Sequence, residues 1–448
     1  MRWKAVNRQK GSLLSFFLAY LRYSWYNNSR QKLVRKRRKV WSFIMIEAAI
    51  YGYGNIGSGV AEVIEKNQDR IEKAVGEGVH VKYVLDLREF EGDPVREKLV
   101  HDVDIIVNDP EVKIICETMG GNEPAYTFTK KALMAGKSVC TSNKELVANH
   151  GAELIRIAAE HRCNYFFEAS VGGGIPVIRI INNALKQEKI LNISGIVNGT
   201  TNYILTKMEK DGAAFEEVLR EAQELGFAER NPEADVEGYD ACRKIAILSS
   251  LMSGRTVDYQ DIYTEGITKL TEEDFLYARK MGKTVKLLAM SKLTETGYLA
   301  MVAPVLIGQE NPLYSVNGVF NAVFVKGNML GDSMYYGSGA GKLPTASAVA
   351  ADVIEAARFM GTHLQIDWAE EKIVLADLPS SRRSFFVRLD REKVPEAKAA
   401  AEFGTGRVVA LEDLPAEYGY ITPVMSEKEF SEKFDSMDGA ISRIRIEE

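Results

Sequence analysis

Glu47-Ala-Ala-Ile-Tyr51-Gly52-Tyr53-Gly54-Asn55-Ile56-Gly57-Ser58-Gly59-Val60-Ala61-Glu62-Val63-Ile64 decides the fold. Its first five residues, apolar after Glu47, read as a buried strand, and from Val60 the apolar spacing becomes that of an amphipathic helix. Between them Gly52, Gly54 and Gly57 are spaced Gly-x-Gly-x-x-Gly. Alone, that triplet is a weak signal; between a strand and a helix it is a dinucleotide-binding fingerprint. The glycines make the tight turn and let the backbone approach a pyrophosphate at the helix N-terminus. Gly52, Tyr53, Gly54, Asn55, Ile56 and Gly57 are therefore candidate cofactor-binding residues. The bland alternative is an ordinary glycine-rich turn.

Residues 80–86 read as the next strand. It ends in Asp86, placed to bind adenosine ribose hydroxyls, though about 30 residues beyond the glycines rather than the usual ~20 because the first helix is long. Arg88 follows and could instead hold a 2′-phosphate, so NAD and NADP both stand. Residues 112–118 form a strand that delivers Thr118 to a carboxyl end, where ligands bind in such sheets. A helix from Glu123-Pro124 to about residue 135 and a strand over 138–143 follow. They bring Lys144 into a helix first turn, where a cation opposes the macrodipole. Residues 165–168 form an apolar strand ending in Glu168, followed by the glycine-rich segment 169–176. Residues 191–197 form a strand that runs into Asn198-Gly199-Thr200. Small polar groups at a helix N-terminus suit a carboxylate, although capping alone would explain them.

The most chemically loaded stretch is 222–244. Gly226 closes one helix, Asn231-Pro232 makes a turn, and a new helix from about Val236 runs into Ile245-Ala246-Ile247-Leu248. Asp240 and Lys244 are four apart and share a helix face. An exposed ion pair is the bland reading. The following turn is apolar on all sides, as in a buried helix, and a buried Asp–Lys pair needs a partner or a task. Glu229 and Asp235 lie in the approach, so three carboxylates surround one lysine.

Ala222, Gly226, Asn231-Pro232, Asp235, Gly238, Asp240 and Lys244 together resemble the signature of the homoserine dehydrogenases. The resemblance spans roughly residues 46–361. It implies reversible NAD- or NADP-dependent reduction of L-aspartate 4-semialdehyde to L-homoserine, in the formation of threonine, methionine and isoleucine. It further implies Lys244 as catalytic acid/base, with Lys144 near cofactor and substrate and able to share that role. Glu229 and Asp240 would hold the substrate amino group and hydroxyl, with Asp235 in support, and Thr200 beside Gly199 would contact the substrate. Gly341 would approach the cofactor. Glu168 and the carbonyls of Val171, Gly173 and Ile175 would bind a monovalent cation, Na+ or K+; oxygen ligands suit such a hard ion. Phe227 departs from members that carry Tyr. Aspartate-semialdehyde dehydrogenase is the enzymatic rival, but it needs a cysteine nucleophile with a base, and Cys140 has no evident histidine partner. A non-catalytic amino-acid sensor would lack the Asp/Lys constellation.

After the signature, helical runs extend to about residue 291, and 297–306, 314–325 and 333–336 read as strands. Glycines 337–341 lead into a helix through about residue 360. The tail reads strand 384–389, helix 395–403, strands 408–412 and 418–424, helix 426–434 and strand 441–446. That βαββαβ order is ferredoxin-like and resembles ACT domains, which bind an end-product amino acid. Its first turn, residues 390–395, lacks the glycine of a ligand-facing loop, so an effector site and a purely dimerising unit both stand.

The fold class is thus α/β: a Rossmann-type domain over 45–170, completed by 340–365; an α+β mixed-sheet substrate and dimerisation domain over 171–340; and a small ACT-like domain over 380–448. Residues 1–44 carry 12 Lys/Arg and no Asp or Glu, and they read as a disordered extension outside the core. Taking those charges from the net of −5 leaves a body near −17, which does not suit nucleic-acid binding. The apolar run at 12–21 is too short to cross a bilayer. Four cysteines without CxxC spacing suggest reduced thiols in a cytoplasm. A homodimer or homotetramer is expected.

Overall fold

The computed structural model describes residues 45–447; the basic extension read over 1–44 lies outside the described residues. The first unit begins with β1 (Met45–Tyr51), α1 (Asn55–Lys66), β2 (Gly78–Leu85), β3 (Leu99–Val100) and β4 (Val112–Glu117). It continues with β5 (Ser138–Thr141), α2 (Lys144–Glu160) and β6 (Tyr165–Phe166). The strands are parallel in the order β3-β2-β1-β4-β5-β6. Order reverses between β1 and β4, which opens a crevice at the carboxyl ends of those two strands. Both faces of β1 are buried, as its continuous apolar run requires.

The second unit contains β7 (Ile190–Ile196), α3 (Gly199–Asp211), α4 (Tyr239–Ser253), β8 (Lys283–Thr294) and β9 (Gly297–Gly308). β10 (Phe320–Gly327), β11 (Gly331–Ser338) and α5 (Lys342–Arg358) follow. α3 and α4 cover one sheet face, packing Ile204, Leu205, Ile245 and Leu248 against Ile193, Leu287 and Val302. α5 returns to the first sheet, where Val349 and Val353 join Val60, Ile114 and Cys116. Gly59 permits that approach: a Cβ there would lie 3.0 Å from Ala346 Cβ.

Three readings of this region need correction. Residues 283–291, taken as helical, belong to β8, a strand paired along its full length with β9. Eight consecutive buried residues hide the period-two alternation, so the run cannot be told from a buried helix. The strand expected from residue 314 starts only at Phe320, because a turn precedes it, held by Lys286 Nζ donating to Val316 O and Asn317 Oδ1. The helix expected from Val236 starts at Tyr239, because Gly238 adopts φ +82°.

The tail comprises β12 (Phe385–Asp390), α6 (Glu396–Phe403), β13 (Arg407–Val409), β14 (Glu417–Ile421), α7 (Glu427–Asp435) and β15 (Ala440–Ile446). Its strand order is β15-β12-β14-β13 around a core of Phe385, Phe403, Tyr418, Tyr420 and Phe430. The sequence read it as separate, but its sheet is not. β15 pairs parallel to β9 through Arg445 opposite Val305 and Ile446 opposite Leu306, making one sheet from β11 to β13. Periodicity reports which face of a strand is buried, not which neighbour takes its edge.

Candidate active site

The glycine turn lies at the carboxyl end of β1. Gly52 takes φ +85°, and a Cβ at Gly57 would sit 2.0 Å from Gly52 O. A Cβ at Gly54 would meet nothing within 4 Å, and no side chain caps the start of α1. Uncapped amides beside open space fit a pyrophosphate. Tyr53 N donates to Asp86 Oδ2, while Arg88 grips the same carboxylate through Nε and a terminal nitrogen at 2.9 and 2.8 Å. That guanidinium holds the Asp86 carboxyl well below the usual range. Ribose-binding acid and phosphate-binding base therefore stand at one spot. The Thr118 hydroxyl turns inward to Gly52 O at 2.7 Å and so braces the turn. Gly341, at φ +111°, precedes α5, and Lys342 pairs with Glu62 of α1 at 3.1 Å. Gly57→Ala is expected to raise the dissociation constant for nicotinamide nucleotide at least about tenfold, since backbone must move to admit the methyl; fluorescence titration of the reduced nucleotide measures it.

Lys144 opens α2, just past β5, and Asn143 caps that helix through Leu146 N. Its Nζ lies 2.7 Å from Asp240 Oδ1, on α4 of the other unit. Asp240 Oδ2 accepts from Lys244 Nζ at 2.6 Å and from Asn198 Nδ2 at 2.8 Å. Lys244 also donates to Val197 O at 2.7 Å. One buried carboxylate thus joins two lysines carried by helices of the two units. Burial opposes the charge on Asp240, yet Lys244 and Lys144 hold its carboxyl well below the usual carboxylate range. Asp240 raises Lys144 above an ordinary lysine in spite of burial. For Lys244, burial prevails over Asp240 and pushes the ammonium down. The Lys144 side chain is 43% exposed and that of Lys244 11%. Two of the three Lys244 donors are occupied, leaving one to face a ligand.

Asp235 accepts from Asn198 Nδ2 at 2.7 Å and is raised by burial and by Asp240. Asn198 was passed over as a helix cap. It does cap α3, through Thr201 N, but its amide also bridges both carboxylates. An Asn between a strand end and Gly-Thr was the available signal. Thr200 spends its hydroxyl on Phe227 O at 2.7 Å, which ties the signature loop to α3. Gly199 packs tightly, a Cβ there falling 2.9 Å from Val319 O. Glu229 is exposed, and among the described residues its side chain forms no ion pair; its backbone carbonyl accepts from Gln223.

The Glu168 carboxylate accepts from Ile178 N and Arg179 N, both at 2.8 Å. Asp352 of α5 lies beside it, accepting from Glu168 N and from Arg179. Burial pushes Glu168 up to about 7 and Asp352 well above its usual value; the Arg179 guanidinium bonds Asp352, while Glu168 takes the Arg179 backbone N–H. The neighbouring loop turns at Gly172 and Gly173, both at positive φ; Ile175 O accepts from Val177 N. A carboxylate pair short of positive charge, next to a carbonyl-bearing loop, fits a monovalent cation. All four cysteines are free and buried, and burial holds Cys140 well above an ordinary thiol.

Residues 176–354 match the family model described as homoserine dehydrogenase, and residues 52–168 match its NAD-binding domain. The chain is 42% identical to homoserine dehydrogenase of Bacillus subtilis over 312 residues, covering 69% of this chain and 72% of that protein. With that of Mycobacterium bovis it shares 37% over 434 residues, covering 90% and 98%. A solved homoserine dehydrogenase from Thiobacillus denitrificans superposes with a TM-score of 0.84 at 33% identity, over 90% of this chain and 99% of that one. A hyperthermophilic archaeal homoserine dehydrogenase in complex with NADPH superposes at 0.60 with 28% identity, over 70% and 98%.

Proposed function

We infer the working of the site from one premise: the chain belongs to the homoserine dehydrogenase family. It catalyses reversible NAD(P)-dependent interconversion of L-aspartate 4-semialdehyde and L-homoserine. A bound nicotinamide supplies or accepts the hydride. The assignments to individual residues that follow are our proposal, and the observation that carries them is Asp240 shared between Lys144 and Lys244.

In the reducing direction Lys244 gives a proton from Nζ to the aldehyde oxygen as negative charge develops there. In oxidation the neutral amine takes the hydroxyl proton back. A lysine lowered by burial moves toward the pH range in which both forms are present, which suits acid/base work. Lys144, raised by Asp240, stays charged; it faces the crevice from α2 and polarises the same oxygen. Asp240 fixes both amines, and Asn198 sets its distance from Asp235. Glu229 and Asp235 attract the substrate ammonium, and backbone at Gly199 and Thr200 receives its carboxylate. The turn from Gly52 to Gly57 would hold the pyrophosphate, and Asp86 and Arg88 would receive the ribose. The carbonyls of Val171, Gly173 and Ile175, with Glu168, would hold Na+ or K+, which would supply positive charge beside the buried carboxylates.

Two further assignments complete the proposal. Edge strand β11 exposes Met334 and Tyr336 beside Phe320, apolar surface that supports a homodimer or homotetramer. In the tail, Asp390 closes the 390–395 loop through Glu392 N and Lys393 N; an amino-acid effector would act there by opening it. We place the enzyme in the cytoplasm, in threonine, methionine and isoleucine formation. Among the described residues no helix is long and apolar enough to cross a membrane. An absorbance assay with L-homoserine and each of NAD and NADP is expected to show reduced nucleotide formed without phosphate. Phosphate-dependent formation from the semialdehyde would favour the rival dehydrogenase, against which the buried Cys140 already stands.

A further inference from the structure

The turn that carries Asp235 and introduces Asp240 is gripped from outside. Ile267 N donates to Val236 O at 2.8 Å, and Thr268 Oγ1 to Glu237 Oε1 at 2.9 Å. Gly266 presses on the same turn: a Cβ there would fall 2.4 Å from Val236 O and 2.6 Å from Glu237 Cα. Gly238, at φ +82°, nestles between Thr264 and Val302. Residues 264–268 therefore form a clasp around 236–238, with Asp235 on one side and Asp240 on the other.

The clasp is anchored from the tail. Tyr263 and Thr264 pair with Met301 and Val302 of β9, and Glu265 N donates to Val302 O. The Glu265 carboxylate then accepts from Tyr263 Oη at 2.8 Å and from Arg445 of β15, both at Oε2. Arg445 is 5% exposed, lies over the Tyr263 ring at 4.8 Å, and uses its other two nitrogens on Glu427 of α7 at 2.7 and 3.0 Å. A buried arginine that spends one nitrogen on a surface segment fixes that segment's position.

We propose that Glu265, held by Arg445 of the C-terminal unit, is a positioning residue for the reaction: through the clasp at 264–268 it sets the place of Asp235 and Asp240. The contact chain runs from the last strand of the tail to the carboxylates without touching the nucleotide sheet. The inference rests on the assignment of Asp235 and Asp240 to the substrate end of the site.

The test compares Glu265→Ala, Glu265→Gln and Gly266→Ala in the full chain, reading kcat and KM for L-homoserine, KM for nucleotide, and Tm. Glu265→Ala leaves the Arg445–Glu427 pair intact, so the tail keeps its main anchor. It is expected to raise the homoserine KM about tenfold and leave the nucleotide KM within about twofold. Glu265→Gln restores near-normal values, because a single amide oxygen can accept both bonds now made at Oε2. Gly266→Ala, which forces the turn itself to shift, is expected to do at least as much as Glu265→Ala; should it not fold, the Ala/Gln pair at 265 decides alone. Wild-type homoserine parameters in Glu265→Ala, or an equal rise in both KM values, would overturn the proposal. Lys244→Ala run alongside separates the two levels: turnover surviving in it sinks the site assignment, whereas a dead Lys244→Ala beside an unaffected Glu265→Ala sinks the clasp only.

Discussion

Lys244→Ala is expected to lower kcat in both directions by about 10²–10⁴-fold, the usual contribution of a general acid/base, with nucleotide affinity unchanged. Affinity is preserved because the glycine turn and Asp86 belong to the first sheet, whereas Lys244 sits on α4 of the second. The variant carries a structural cost as well: Val197 O loses its donor, and Asp240 is left with Lys144 and Asn198. A buried acceptor without a partner costs about 1–3 kcal/mol, so a melting curve must accompany the kinetics. Lys244→Met keeps the length of the chain and separates lost chemistry from lost packing. Equal loss in both variants at normal melting temperature assigns the effect to the amine; near-normal turnover in either removes Lys244 from the mechanism.

The parts legible in the sequence were those whose cause is local. Gly52 and Gly57 announce a tight turn because, at positive φ in one case and against a backbone carbonyl in the other, only that residue type tolerates the geometry. Asp240 and Lys244 announce a pair because helix pitch alone brings them together. What escaped depends on partners far along the chain. Lys144 reaching Asp240 joins residues almost a hundred positions apart, and only the packing of α2 on α4 reveals it. Asn198 looks like a cap because it is one; its second task appears when one carboxylate arrives from the turn before Gly238 and another from the first turn of α4. β8 was misread since burial on both faces erases alternation, and the tail looked separate since the edge it shares with β9 leaves no mark on hydrophobic period.

Asp240→Asn removes the charge that links both lysines and keeps the shape, because an amide oxygen can still accept from Lys244 and Asn198. Burial already disfavours the Lys244 ammonium, and Asp240 opposes that effect; for Lys144 the Asp240 charge is the largest influence. Neutralising it lowers both lysines. Reduction of the semialdehyde needs the protonated amine, so the pH above which reduction fails moves downward. Oxidation of homoserine needs the neutral amine, so its acid limb moves downward too. Above the new limb reduction therefore loses kcat, while oxidation keeps its kcat to lower pH than in the wild type. Asp235→Asn is the internal control. That carboxyl is raised by burial and by Asp240 and bonds Asn198 rather than a lysine; its charge supports both ammoniums less than that of Asp240, so its loss moves the limbs in the same direction by less while weakening substrate binding. Initial rates in both directions between pH 6 and about 10, the upper end set by lysine's ordinary range, decide the matter. Limbs that stay put in Asp240→Asn would mean that the proton is carried by a group this carboxylate does not touch.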